Sequence, residues 1–320
     1  MTPNTRAALL ALSAFGIFAT HDVIVKVLGS TYAPFQIVFF SVLFSFPLVT
    51  MIQMRDASLS NLRPRHPWWT ALRTAAAVIT AISAFYTFSV LPLTEAYALI
   101  FAAPLLITVL AIPILGEAVR WRRGLAVIVG LGGVLVVLRP GVTDLSVGHV
   151  SGLICAFSGA LASVIVRKIG REERTVVLLL YPMITNFVLM GALMPVVYVP
   201  MPLQDMAGMG AMALLAIIAS TLLIMAYRKG DAAIVAPMQY SQILWAAGYG
   251  LIFFAETPDL WTLVGTTIIV ASGLYIVLRE GQSPSSKQPV LKSKSRPDTS
   301  TTPRVSALYD ALRWGKKSSR

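Results

Sequence analysis

The chain contains 320 residues, of which 56% are apolar and only 12% are charged, with 26 Lys and Arg against 14 Asp and Glu. Soluble domains carry about 25% charged residues, so this composition argues against a water-soluble enzyme and against a disordered chain. The single cysteine argues against a secreted domain held by disulfides. We therefore expect most of the chain to lie in lipid.

The apolar residues form ten consecutive segments, most of them close to the ~20 residues that a helix needs to cross a bilayer. These segments are Ala7–Leu28, Pro34–Met54, Trp69–Val90, Leu93–Leu115, Gly124–Leu138, Val150–Val166, Val176–Tyr198, Gly208–Tyr227, Ala232–Phe254 and Leu260–Leu278. Their continuous hydrophobicity, unlike the alternation of barrel strands, predicts an all-α integral membrane bundle. Because the fifth segment is short and the turn at Leu91 and Pro92 is tight, nine and eleven spans are alternatives.

Basic residues alternate between rich and poor connections along the chain. Fourteen Lys and Arg residues occupy the stretch before the first span and every second connection, whereas the intervening connections hold only Lys26 and Arg139. Cytoplasmic loops carry the excess of basic residues, so this alternation predicts an even number of spans with both termini in the cytoplasm. We expect a multi-pass protein of the inner (cytoplasmic) membrane.

Residues 281–320 form a tail of different composition. The tail is rich in Ser, Pro and Lys, and its nine Lys and Arg residues outnumber Asp298 and Asp310. Such a composition is typical of a disordered, solvated segment. The helical spacing of the apolar residues from Val305 to Leu312 also permits a short interfacial helix on anionic lipid. We expect no nucleic-acid binding, because no folded basic or aromatic module accompanies the tail.

An internal repeat divides the chain at about residue 140. Glu95–Glu117 aligns without a gap on Ile234–Glu256, and with one inserted residue Trp121 falls on Trp261. Each repeat, 1–140 and 141–280, contains five predicted spans, and an odd number of spans forces the second copy to insert upside down. Inverted repeats are typical of secondary transporters, in which the two halves exchange conformation around a central site.

The residues of the repeat resemble a known family. The sequences that carry the resemblance are Leu93–Leu99, Leu115–Glu117, Leu138–Pro140, Ala236–Tyr240, Ala255–Glu256 and Leu260–Trp261. They are similar to the two EamA-type halves of drug/metabolite transporter superfamily members, over about residues 7–280. This resemblance implies a ten-helix transporter built from two inverted five-helix repeats. In the second helix, Phe39 and Phe40 are followed by Ser41 where family members often carry an arginine, so no charged substrate partner is expected there.

Polar residues inside the predicted spans are the candidate binding residues, because such groups are costly in hydrocarbon. In the first helix, His21 and Asp22 could line a cavity and contact a substrate or carry a proton; alternatively, Asp22 could pair with Lys26 near the membrane interface. The ninth helix is unusually polar and aromatic, and other helices add hydrogen-bonding groups. From these elements the candidate residues are Gln239, Tyr240, Gln242 and Trp245, together with Tyr97 and Asn186.

Other polar residues receive mainly structural interpretations. Glu95 and Asp231 are helix starters or gate residues, and Arg73 is expected at the membrane interface. Glu117 and Glu256, at equivalent helix ends, are interpreted as structural. Prolines at two further positions, 104 and 237, predict kinks that are not equivalent in the two repeats.

Together these features predict a secondary active transporter of a small organic metabolite that works by alternating access, with no cofactor, no metal and no enzyme activity. The phosphate-binding motif G-x-x-x-x-G-K-[ST] is absent from the sequence, so ATP-driven transport by this chain is not supported. The rival class is an intramembrane hydrolase using Ser158 and His149.

The aromatic and amide character of the candidate residues favours a neutral aromatic solute. Riboflavin uptake is the leading prediction for the substrate. The alternatives are export of amino acids or other metabolites and import of S-adenosylmethionine. Protons are a possible coupling ion, through His21 and Asp22.

Overall fold

The computed structural model describes residues 3–53, 63–117, 121–141, 144–170, 172–229 and 232–282. The helices are α1 Pro3–Gly29, α2 Pro34–Gln53, α3 Pro67–Val90, α4 Leu93–Ile100, α5 Ala103–Leu115, α6 Trp121–Leu138, α7 Val147–Ile169, α8 Thr175–Val197, α9 Leu203–Lys229, α10 Ala232–Val235, a 3₁₀ helix Ala236–Tyr240, α11 Ser241–Phe254 and α12 Leu260–Gln282. Asp231 and the predicted basic tail beyond residue 282 lie outside the described residues.

These elements form ten membrane-spanning units, which confirms the predicted all-α integral membrane fold. Within the described residues, seven helical stretches are long and apolar enough to cross a membrane, with α4 and α5 counted as one. The apolar helices α2 and α12 and the unit from α10 to α11 complete the ten. Pro34 and Pro67 begin α2 and α3, at the first helical position where the missing N–H of proline costs nothing.

The helices of the two repeats pack against one another in a symmetric way. The first helix of each repeat packs along the third helix of the other, so that α1 lies along α9 and α7 lies along α3. Two helix pairs, α2 with α8 and α6 with α12, join equivalent helices across the same pseudo-twofold relation. The two repeats therefore share one interlocked bundle rather than forming two side-by-side domains.

Both repeats interrupt their fourth helix at the same place. In the first repeat α4 ends at Ile100 and α5 begins at Ala103. In the second repeat the 3₁₀ helix separates α10 from α11, which begins at Ser241. The gap-free repeat alignment places Phe101 on Tyr240, so the two interruptions end within one residue of equivalent positions.

These breaks lie beside the two prolines at which kinks are predicted, although the prolines do not occupy equivalent repeat positions. Pro104 and Pro237 each lie at the first or second position of the helical segment that they belong to. Proline is tolerated there because the N–H that it lacks has no partner within the helix. The prolines therefore begin segments at slightly different points around a break that the two repeats share.

Glycines allow α6 and α12 to cross in close contact. A Cβ atom built on Gly133 would lie 2.9 Å from the carbonyl oxygen of Gly265, and one built on Gly265 would lie 2.7 Å from the carbonyl oxygen of Gly133. Real Cβ atoms do not approach backbone so closely, and small residues are typical of such helix crossings in membranes. The sequence thus fixes where the fifth and tenth spans meet.

We expect Gly133→Leu to destabilise the protein by about 1–3 kcal/mol, the usual cost of overpacking a tight contact. The thermal midpoint of the detergent-purified protein, followed by intrinsic fluorescence, measures the effect. Gly132→Leu is the matched control, since a Cβ atom there meets no other atom within 4 Å. An equal loss of stability in both variants would contradict the role assigned to the crossing.

The two ends of the bundle differ in their charge. We call the end that carries Arg63, Arg65, Arg122, Arg123 and Lys168 the basic face, and the other end the opposite face. At the opposite face α1 packs against α3, and Gly29 lies directly against Ser89. The equivalent helices α7 and α9 form no comparable contact within the described ranges. The repeats are therefore not identical in arrangement, and the bundle is closed more tightly at the opposite face.

Candidate functional site

A buried carboxylate lies at the centre of the candidate site. Asp22, on α1, is only 1% exposed, and its Oδ1 lies 2.7 Å from Nδ1 of the neighbouring His21. Its Oδ2 accepts a hydrogen bond from the hydroxyl of Tyr97 on α4. A carboxylate removed from water is costly unless it is paired and hydrogen-bonded, and these two partners supply that compensation. The predicted residues of the first repeat thus meet in one place.

The second repeat contributes to the same group. Gln242, on α11, is also 1% exposed, and its Nε2 donates a hydrogen bond to the Tyr97 hydroxyl over 3.3 Å. We call His21, Asp22, Tyr97 and Gln242 the central polar cluster. It links both repeats beside the two interrupted helices, so a movement of one repeat against the other changes the distances within it.

Aromatic rings surround the central polar cluster. The ring of Phe85, on α3, lies edge-on to His21 with centroids 6.2 Å apart, and that of Phe88 contacts Tyr97 at 5.1 Å. Phe101 lies 5.6 Å from Tyr97. Phe85 and Phe88 were not predicted as site residues, because an isolated phenylalanine in a span resembles any other apolar core residue.

The two equivalent aromatic residues at the helix breaks contact each other. Phe101 and Tyr240 pack edge to face with centroids 5.4 Å apart. Edge-to-face packing is a favourable arrangement of aromatic rings. Because Tyr240 contacts Phe101, and Phe101 contacts Tyr97, this candidate residue of the ninth span joins the aromatic surroundings of the central polar cluster.

The remaining candidate residues are Trp245, Asn186 and Gln239. Trp245 packs over Gly16 on α1, and its ring is 6.0 Å from that of Tyr249. Asn186 is fully buried in α8, and Gln239 is half-buried in the 3₁₀ helix. The structure therefore brings together His21, Asp22, Tyr97 and Gln242, and adds Tyr240 through Phe101.

An ion pair between the repeats closes the opposite face one helical turn beyond Asp22. Lys26 Nζ lies 2.5 Å from Glu256 Oε1, and the same ammonium donates a hydrogen bond to the Leu91 carbonyl over 2.5 Å. Glu256 Oε2 in turn accepts a hydrogen bond from the Leu93 backbone N–H at 3.1 Å. We call this arrangement the opposite-face closure. It ties α1 to the α3–α4 turn and to the end of α11, and sequence analysis did not predict the pairing of Lys26 with Glu256.

A related ion pair lies at the basic face. Glu117, which is repeat-equivalent to Glu256, pairs with Arg167 near the end of α7. Lys168, equivalent to Lys26, donates a hydrogen bond to the Ile114 carbonyl over 2.8 Å. Each glutamate follows a residue in the left-handed conformation, Gly116 or Ala255. The interpretation of both glutamates as structural was therefore incomplete, because each one joins its own repeat to the other repeat at one membrane face.

Two further contacts hold the opposite face together. Tyr32, in the turn after α1, donates a hydrogen bond to Asp205 Oδ2 on α9 over 2.5 Å. Gln36 exchanges two hydrogen bonds with the backbone of Val199, at 2.8 and 2.9 Å. The hydrogen bond to Asp205, with burial, raises the pKa of Tyr32 from 10.0 to about 12. The contacts connect the α1–α2 turn with the beginning of α9 and the residues just before it.

The raised pKa of Tyr32 predicts a pH-dependent stability. A folded pKa above the unfolded value of 10.0 stabilises the fold below pH 10, and this contribution is lost as the pH rises towards about 12. We expect the native protein to melt at a higher temperature than Tyr32→Phe at pH 8, and the difference to shrink by pH 12. Tyr275→Phe, at an exposed position of α12 that makes no contribution to the raised pKa of Tyr32, is the control. A difference that stays constant with pH would contradict the prediction.

Several other predicted residues have structural partners. Glu95 pairs with His149 at 2.8 Å, and Nδ1 of that histidine lies 2.8 Å from the Ser146 hydroxyl in the first turn of α7. Ser158, the nucleophile of the hydrolase alternative, donates a hydrogen bond to the Ile154 carbonyl and accepts one from Thr80. These separate contacts give no support to a catalytic pair of Ser158 and His149.

Arg73, which is expected at the membrane interface, is covered by a neighbouring helix. It lies in the second turn of α3 and is only 1% exposed inside the bundle. Its guanidinium donates a hydrogen bond to the Leu178 carbonyl on α8. The close packing of α3 against α8 covers the side chain, and hydropathy along one segment carries no information about such a neighbour.

Comparison with known proteins identifies the family. The sequence profile of the EamA-like transporter family matches residues 5–139 and 146–278, one match in each repeat. The chain belongs to the EamA-like transporter family. This confirms the resemblance inferred from the repeated segments, and it makes the chain a membrane transporter with a small-molecule substrate.

Similar proteins of this family include transporters with named substrates. The S-adenosylmethionine uptake transporter of Rickettsia bellii is 27% identical over 269 residues, covering 84% of this chain and 92% of the relative. That of Rickettsia prowazekii is 28% identical, covering 83% and 90%. The pseudopaline exporter CntI of Pseudomonas aeruginosa is 28% identical, covering 82% and 93%. The similarity therefore extends over both repeats in importers and in an exporter.

A solved crystal structure shares the architecture. It covers 87% of this chain and 99% of its own chain with a TM-score of 0.57, at 17% sequence identity. At that identity the likeness shows a common fold alone.

Proposed function

We propose that this EamA-family transporter takes up a small organic cation of the S-adenosylmethionine type, with Asp22 as its anionic anchor. The observation that carries the proposal is a carboxylate 1% exposed in an apolar bundle, with aromatic rings packed against its two hydrogen-bonding partners. A buried charge in a membrane span is a functional-site hypothesis by default, because burial is so costly. Uptake of S-adenosylmethionine by relatives that match 83% and 84% of the chain supports this substrate class.

The chemistry of the site fits a cation better than a neutral flavin. S-Adenosylmethionine carries a sulfonium and an ammonium group, each of which can face a carboxylate and an aromatic ring. Its adenine ring can stack beside the row formed by Tyr97, Phe101 and Tyr240. A neutral flavin would leave the charge of Asp22 without a counter-charge. The S-adenosylmethionine alternative therefore replaces riboflavin as the leading substrate.

The same cluster offers a route for coupling. The His21–Asp22 pair offers a second proton acceptor beside the carboxylate, so that a proton and a cationic substrate can occupy the cluster together. Inward movement of both in one step couples uptake of the substrate to an inward proton gradient. We therefore propose the proton as the coupling ion.

Orientation follows from the distribution of charge. We propose that the basic face lies on the cytoplasmic side of the inner membrane, together with both termini, because basic residues remain on the cytoplasmic side of membranes. The opposite-face closure then seals the outer side of the site. Transport requires this closure to open while the Glu117–Arg167 contact tightens the inner side.

The proposal is tested by uptake into proteoliposomes that contain the purified full chain. Radiolabelled S-adenosylmethionine and riboflavin are supplied separately, with and without a proton gradient. We expect saturable uptake of S-adenosylmethionine that unlabelled S-adenosylmethionine blocks and riboflavin does not. Saturable uptake of riboflavin alone, or uptake of neither compound above that of empty liposomes, would reject the proposed substrate.

Export is the second candidate direction, because a relative that is 28% identical is a pseudopaline exporter. Membrane vesicles of known orientation, loaded with labelled S-adenosylmethionine, separate the two directions. Under an inward proton gradient, net loss of label from right-side-out vesicles supports export. Net accumulation of label under the same gradient supports uptake.

A further inference from the structure

A lateral groove between α6 and α12 lies outside the transport site. Its volume is about 500 Å³. On α6 it is lined by Leu125, Ala126 and Val129, and on α12 by Ser272 and Tyr275. The volume lies within the range of roughly 300–1,000 Å³ that is usual for small-molecule sites. The groove occupies the part of the α6–α12 contact on the basic-face side of the glycine crossing.

The interior of this groove is apolar and faces the membrane. Leu125 and Val129 are about half exposed, as expected for lipid-facing side chains. The Ser272 hydroxyl is directed to the Ala126 carbonyl, to which it donates a hydrogen bond, so it is not directed at an occupant. A lateral, mainly apolar groove in a membrane span suits a hydrocarbon chain.

The end of the groove at the basic face carries a positive charge. Trp121 and Arg122 line it, and the guanidinium of Arg122 lies 5.5 Å from the centroid of the Trp121 ring. Both side chains are exposed. Tryptophan is typical of the headgroup level of membranes, and arginine binds phosphate oxygens through several N–H donors. An occupant that matches the whole groove is therefore apolar along its length and anionic at one end.

We propose that this groove binds one anionic phospholipid from the leaflet at the basic face. An acyl chain lies between α6 and α12, and the headgroup phosphate contacts the Arg122 guanidinium. The basic tail of the same chain is disfavoured as the occupant, because its nine Lys and Arg residues would face another cation. A second copy of the protein would likewise bring another Arg122 to a twofold contact.

Native mass spectrometry of the detergent-purified full chain tests the binding. Dioleoyl phosphatidylglycerol is the anionic probe, and dioleoyl phosphatidylcholine is the neutral one. We expect retention of one phosphatidylglycerol in preference to phosphatidylcholine. Arg122→Gln should weaken retention about fivefold, the usual effect of one basic residue near an anionic headgroup. Arg65→Gln removes an exposed arginine elsewhere on the basic face and should change nothing.

A second pair of variants tests the apolar part of the groove. Val129→Trp fills the groove and should lower phosphatidylglycerol retention at least as much as Arg122→Gln. Ile128→Trp places the same bulk on the neighbouring lipid-facing position, outside the groove, and should leave retention unchanged. Equal retention of both lipids, or unchanged retention in Arg122→Gln and Val129→Trp, would overturn the proposal.

A photoreactive benzophenone side chain at position 129 identifies the occupant directly. Cross-linking to phosphatidylglycerol supports the proposal. Cross-linking to a second copy of the chain, or to a peptide from residues 283–320, would overturn it and assign the groove to a protein contact instead. Both variants at positions 128 and 129 are compared by thermal midpoint, so that a loss of folding is separated from a loss of lipid.

Discussion

Asp22→Asn is expected to lower kcat/KM for S-adenosylmethionine transport by about 100-fold. The carboxylate is almost fully buried and is hydrogen-bonded by His21 and Tyr97. Loss of one partner of a buried charged contact costs about 2–5 kcal/mol, and about 1.4 kcal/mol corresponds to a factor of ten. The amide of asparagine keeps the size of the side chain but removes the charge that a sulfonium or ammonium group would face. Initial rates of labelled uptake into proteoliposomes measure the effect.

Two controls separate the role of this charge from a role in folding. Glu172→Gln removes a carboxylate that is 64% exposed in the ion pair with His66, and exposed pairs contribute little, so transport should be unchanged. The thermal midpoint of Asp22→Asn shows whether the bundle remains folded. Asp22→Glu keeps the charge and should recover part of the activity. A folded Asp22→Asn variant that transports at the native rate would remove Asp22 from the site.

Glu256→Gln is expected to open the opposite face. Glu256 forms an ion pair with Lys26 and accepts a hydrogen bond from the Leu93 backbone N–H, on the opposite-face side of the central polar cluster. Removing its charge weakens the closed arrangement, and a shift of about 1.4 kcal/mol changes the ratio of closed to open molecules tenfold. Thr20 lies on α1 between the closure and the basic face, and its hydroxyl is 3.1 Å from that of Tyr249 on α11. Labelling by a membrane-impermeant maleimide, added from the opposite face, reports this opening at a cysteine introduced by Thr20→Cys. We expect the labelling rate to rise about tenfold, in a background in which Cys155→Ala removes the native thiol.

The equivalent glutamate of the other repeat is the matched control. Glu117→Gln breaks the contact with Arg167 at the basic face, so it should lower, not raise, the labelling of Thr20→Cys from the opposite face. The exchanged pair Lys26→Glu with Glu256→Lys should restore the native labelling rate, because it keeps an ion pair at the same position. If Glu117→Gln and Glu256→Gln change labelling in the same direction, the two contacts are not alternating closures.

Some residues of the site could be predicted from the sequence because polar groups are costly to place inside a membrane. Asp22 and His21 stand out in the first span, and Gln242 and Tyr240 stand out in the ninth, since polar groups in hydrocarbon need partners. Tyr97 belongs to the segment that carries the family resemblance. The residue type and its place in an apolar span are enough to identify these residues, without their neighbours in the fold.

The partners of those residues could not be predicted in the same way. A pair of Lys26 with Asp22, four residues away, was one of two alternatives from the sequence, yet the Lys26 ammonium lies against Glu256, which is distant in sequence. The sequence does contain the repeat, which aligns Glu117 with Glu256 and Lys26 with Lys168. It indicates equivalent positions, but not which of the equivalent groups contact one another across the repeats.

By itself the sequence determined the ten spans and the two repeats, because hydrophobic length is a property of each segment alone. The low charge content determined that the medium is lipid, and charge alternation supplied the proposed orientation. Only the tertiary structure decided that both fourth helices break at equivalent points and that Arg73 is buried. It also decided that each glutamate at a helix end pairs with a base of the other repeat. These features depend on which helices become neighbours, and side-chain pairing between distant segments is fixed only when the whole bundle packs.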